Sequence, residues 1–127
     1  MYQDYIIFLI LVFFGITYSF SLLEKILNWK PTISFYREHF KTSFLSKNIN
    51  LAVGLVCVLE AIVLFVLAKN SYNYYLSSSA DCYLEFLLSS ACLILFLLVG
   101  QRIAKDYQGA SSLGVYFIVN LIGIYCL

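Results

Sequence analysis

Leu51–Ala68, LAVGLVCVLEAIVLFVLA, is an eighteen-residue run in which Glu60 is the only charged side chain. At 1.5 Å per residue a helix of this length covers about 27 Å, close to the hydrocarbon thickness of a bilayer. Nine apolar or small residues precede Glu60 and eight follow it, so the carboxyl falls near the middle of the run. A charged group there costs about 2.5–3.5 kcal/mol on insertion scales, so Glu60 is expected to turn into the interior of a helix bundle. A carboxyl so placed reads in two ways. It is a functional group, such as a proton relay or ligand anchor, or a structural hydrogen bond to a neighbouring helix.

Three more runs of the same kind flank this one, at about Tyr5–Leu23, Tyr83–Val99 and Ser112–Leu127, and the second span itself starts at about Ile49. The composition agrees: 62% of the 127 residues are hydrophobic and 12% charged, with a mean hydropathy of +0.88. A soluble domain of this size needs more polar surface. The expected fold is therefore all-α, a four-helix transmembrane bundle forming one integral-membrane domain over residues 1–127. Asp4 stands where a signal peptide carries Lys or Arg, so the first run reads as a retained helix. Basic residues interleaved with aromatics are missing, which argues against nucleic-acid binding.

Between the first two runs lies the long connection Lys30–Asn48. Pro31 suits a first helical turn. Ile33, Tyr36, Phe40 and Phe44 then recur at helical spacing, opposite Arg37, Glu38 and Lys41. This predicts a short amphipathic helix lying in the membrane interface between helices 1 and 2. Lys69–Cys82, rich in Ser, Asn and Tyr, reads as an irregular loop, and Ile103–Ser111 as a tight polar turn. Lys25, Lys30, Arg37, Lys41, Lys47, Arg102 and Lys105 gather on one side and only Lys69 on the other. The positive-inside rule then puts connections one and three in the cytoplasm and both termini outside.

Each span carries a polar or small stripe. Depth counting sets Tyr18, Glu60, Cys92 and Asn120 near one level, which makes Tyr18, Cys92 and Asn120 the expected partners of Glu60 in a structural polar core. Close packing of small residues explains the same stripes without chemistry. The four cysteines have no metal-ligand spacing, so no metal is expected. Cys82 opens the third span and Cys126 closes the fourth. Antiparallel neighbours would bring them to one membrane face, where they either bridge or stay free. Cys57 and Cys92 read as mid-membrane packers. His39, beside Glu38, reads as a surface residue.

The stretch Phe14–Trp29, FGITYSFSLLEKILNW, resembles the first-helix signature of the DoxX/MauE-like membrane proteins, in which a glycine-bearing helix ends in an acidic residue and lysine. Gly100–Ala110, GQRIAKDYQGA, is similar to the third turn of small bacterial members. The resemblance implies a redox-associated four-helix protein of the bacterial inner membrane, with thioredoxin-like, oxidoreductase or quinone-linked partners. The chain lacks the paired-cysteine motif of the MauE branch, which argues against a thiol relay of its own. The leading expectation is a non-catalytic accessory subunit of an inner-membrane assembly, working with a membrane-protein partner or as a homo-oligomer. Its rival is a quinone- or thiol-linked oxidoreductase using Cys82, Cys126 and Glu60, with quinone as the implied cofactor. A small transporter or proton-conducting bundle, resting on Glu60, is the third.

Overall fold

The computed structural model describes residues 2–127. It contains five α-helices: α1 (Tyr2–Leu27), α2 (Trp29–His39), α3 (Ile49–Ser77), α4 (Leu84–Ile103) and α5 (Tyr107–Cys126). Short 3-10 turns at Phe44–Asn48 and Ala80–Tyr83 lead into α3 and α4. All but α2 lie in segments long and apolar enough to cross a membrane.

The four long helices form a ring in which α1 packs on α3, α3 on α4, α4 on α5, and α5 back on α1. Side-chain pairings set the directions. Lys25 meets Glu60 while a Cβ at Gly15 would touch Leu67, so α1 and α3 run antiparallel. Asn70 bonds Glu85 at the α3–α4 hairpin, and Asn120 bonds the Leu87 carbonyl between α4 and α5. Across the diagonal, Tyr18 bonds Ser90 at 2.6 Å and Phe14 meets Phe86 edge-on at 6.5 Å, so α1 and α4 point the same way.

Each helix turns one stripe inward. On α1 the buried positions are Ile7, Ile10, Leu11, Phe14, Tyr18 and Lys25, a spacing of three and four that keeps them on one face. Phe8, Leu9, Phe20, Phe65 and Tyr125 are largely exposed. A surface so apolar suits lipid and would be a liability in water. With lipid outside, contact between helices depends on fit rather than on exclusion of water. The helices approach closely at Gly123, where a Cβ would sit 3.3 Å from both Leu87 methyls and 3.4 Å from Ile10. Only glycine lets α1, α4 and α5 meet there without displacement.

The helices outrun their apolar cores. α3 continues through Lys69–Ser77, where the sequence predicts an irregular loop, and stops at Ser78 in the left-handed region with φ 55°. The helix persists because Asn70 is buried and caps α4: its Oδ1 accepts from the Phe86 backbone N–H at 2.9 Å. α5 starts at Tyr107, five residues before the expected Ser112, because the Asp106 carboxylate accepts from Gly109 N at 2.9 Å and fixes the first turn. Asp106→Ala is expected to cost about 1 kcal/mol through loss of this cap, with Asp106→Asn largely neutral, measured by denaturant titration in micelles.

The helix expected after Pro31 is present as α2. Ile33 is buried against Ile49 and Val53, with Tyr36 and Phe40 packed on the same cluster. Phe44, assigned to that face, instead lies exposed in the 3-10 turn. α2 has ended at His39, and the chain reverses through a turn in which Ser43 accepts from Leu45 N.

Candidate functional site

Glu60 and Lys25 form the centre of the site. Lys25 lies in the last turn of α1, and helical side chains lean toward the helix N-terminus. For α1 that direction leads into the bundle, so the Lys25 stem runs back one turn and its ammonium meets the Ser21 hydroxyl and carbonyl. The same nitrogen lies 3.1 Å from Glu60 Oε1 and 3.2 Å from Oε2. The Ser21 hydroxyl donates to Glu60 Oε1 at 2.9 Å. Lys25 is 8% exposed and Glu60 2%.

This differs from the expected polar core in its partners. Tyr18 bonds Ser90 rather than Glu60. Asn120 donates to the Leu87 carbonyl, and its Oδ1 is buried without a partner among the described residues. Cys92 is exposed on the outer face. Glu60 meets Lys25 in the last turn of α1, and Leu97 of α4 and Leu113 of α5 line the same cavity. Lys25, counted as an interfacial cation, is a buried counter-ion. Its signal lies in Ser21 and Lys25, four residues apart on the inward stripe of α1.

Beside the pair lies a cavity of about 550 Å³, the volume of a small-molecule site. Ser21, Lys25 and Glu60 line one end, and Tyr36 and Phe40 of α2 cover it. Leu51, Leu55, Phe96 and Val99 line it and are also exposed on the bundle exterior. The cavity therefore opens sideways, between α3 and α4, onto the surface that faces lipid. His39 ties the cover down: its Nε2 is 3.1 Å from Gln101 Oε1 and 3.6 Å from Asp106 Oδ2.

Comparison with family models, curated proteins and solved structures finds no match. Chemistry must then be read from the side chains alone.

All four cysteines are unbonded. Cys82 and Cys126 do stand at the same end of the bundle, opposite α2. The Cys82 thiol lies within hydrogen-bond reach of the Asn70 and Ser79 carbonyls, and Cys126 is buried against the core. Neither is near Glu60, so the three candidate catalytic residues occupy two separate ends. Among the described residues no cluster of His, Cys, Asp and Glu could hold a metal.

At the Cys82 end, Lys69 and Asn70 both donate to Glu85, at 3.0 and 3.2 Å. These contacts lock the α3–α4 hairpin, and the Lys69–Glu85 pair is half exposed. The Lys25–Glu60 pair differs in being enclosed, with a ligand-sized space beside it.

Proposed function

We propose that the protein is a non-catalytic accessory subunit of a bacterial inner-membrane assembly, and that its contribution is to hold a lipid-soluble molecule beside Lys25 and Glu60. The observation that carries this reading is the cavity of about 550 Å³ that opens toward lipid and ends on a buried ion pair. An ion pair whose ammonium is fully engaged is a recognition surface rather than a free base or nucleophile. α2, with Ile33 inward and Phe35 exposed, lies in the membrane interface on this reading and roofs the site from the cytoplasmic side. Both termini are then outside. Lys30, Arg37, Lys41, Lys47, Arg102 and Lys105 support that orientation even with Lys25 removed from the count.

The DoxX/MauE-like resemblance favours a redox-linked assembly, and on that second reading the occupant is a quinone and the partner an oxidoreductase.

Gentle purification tests the proposal. The wild-type protein is expected to co-elute with a membrane-protein partner and to release a lipid-soluble molecule on solvent extraction. Gly100→Phe is expected to lose the molecule, because a Cβ at Gly100, on the cavity wall, meets nothing within 4 Å and the ring can grow into the space. A monomer that releases the same lipids as its Gly100→Phe variant contradicts the reading.

A further inference from the structure

We infer that the occupant is a neutral amphiphile whose head is a hydroxyl group donating a hydrogen bond to Glu60 Oε2. This rests on the cavity reading above and specifies its chemistry.

The hydrogen-bond inventory of the ion pair is asymmetric. An ammonium has three protons, and Lys25 Nζ already has four acceptors around it: the Ser21 carbonyl, the Ser21 hydroxyl and both oxygens of Glu60. The single hydroxyl proton of Ser21 goes to Glu60 Oε1. Every donor of the Lys25–Ser21–Glu60 cluster is committed. The acceptors are not. A carboxylate offers about four lone-pair positions. Oε1 receives two bonds, from Ser21 and Lys25, while Oε2 receives one, from Lys25. A ligand that can only accept finds no proton there, whereas one that donates finds a charged acceptor.

Charge narrows the class further. Lys25 and Glu60 neutralise one another. An anionic head would add an uncompensated charge to a cavity walled by Leu51, Leu55, Phe96 and Val99. A cationic head would have to draw Glu60 away from Lys25, stranding the ammonium. A neutral head avoids both costs. The sideways opening between α3 and α4 supplies the rest of the description, since an apolar tail can pass from the cavity into lipid without crossing water.

Three tritiated probes with one tail separate these chemistries: hexadecanol, hexadecyl methyl ether and hexadecanoate, measured against protein in nanodiscs and against empty nanodiscs. Hexadecanol is expected to bind saturably and about tenfold more tightly than the ether, the worth of one hydrogen bond to a charged group. The double variant Lys25→Met/Glu60→Gln is expected to shrink that preference, and Gly100→Phe to abolish binding of all three. Equal binding of alcohol and ether, lost in Gly100→Phe, overturns the hydroxyl assignment while leaving the cavity as a binding site. Tightest binding of hexadecanoate overturns it in favour of an acid. Saturable binding of none of the probes overturns both the assignment and the cavity reading.

Discussion

Lys25→Met alone is expected to destabilise the protein by about 3–5 kcal/mol, whereas Lys25→Met combined with Glu60→Gln recovers most of the loss. The asymmetry follows from what each variant leaves behind. With Lys25 gone, Glu60 is a carboxylate 2% exposed, held only by the Ser21 hydroxyl. Its Coulombic partner is lost but its desolvation cost remains. The double variant removes the charge as well. The amide introduced by Glu60→Gln can still accept from Ser21, and the thioether introduced by Lys25→Met fills the volume of the lysine stem, so little is left unsatisfied. The measurement is a denaturant titration in mixed micelles, followed through Trp29 fluorescence and helical circular dichroism. Equal stability of single and double variants would mean that the pair is not enclosed.

The same pair shows where the sequence can be read and where it cannot. Four apolar runs announce four membrane-length helices, because hydrocarbon thickness fixes the length of a span. Ile33, Tyr36 and Phe40 announce α2, because their spacing is that of one helical face. What hydropathy does not register is a helix continuing past its apolar core. Lys69–Ser77 is polar enough to look like a loop, yet it stays helical because Asn70 is buried and bonded to the next helix. Asp106 starts α5 early by a cap that polar composition alone disguises as a turn.

Lys25 escapes a reading by hydropathy for a geometric reason. Charged residues at span ends are expected to reach outward to water, and depth counting from apolar boundaries puts Glu60 and Lys25 far apart. The lean of helical side chains toward the N-terminus reverses that expectation at the C-terminal end of a span. A lysine in the last two turns, on the inward stripe with a serine four residues earlier, points into the bundle. Tyr18 and Asn120 both face inward, but their partners, Ser90 and the Leu87 carbonyl, depend on how helices rotate against one another. One chain's periodicity does not encode that rotation.

Rotation also decides the second large effect. Phe14→Ala is expected to cost about 3 kcal/mol or more, and Phe8→Ala less than about 0.5 kcal/mol, although the two phenylalanines lie on the same helix. Phe14 is 1% exposed, stacks on Tyr18 at 5.6 Å and meets Phe86 edge-on. Phe8 is 63% exposed. In water both truncations would remove buried or partly buried hydrocarbon from an aqueous contest. Against lipid that contest is nearly even, since acyl chains are as apolar as the ring. The cost at Phe14 is therefore the void itself and the lost dispersion contacts, which rigid neighbours cannot fully close. It reaches the ion pair, because Tyr18 lies one turn from Ser21 and its bond to Ser90 fixes α1 against α4. Thermal unfolding of the two variants in micelles checks the contrast. A loss at Phe8 equal to that at Phe14 would show that α1 presents a different face to the bundle, and would displace Lys25 from Glu60 with it.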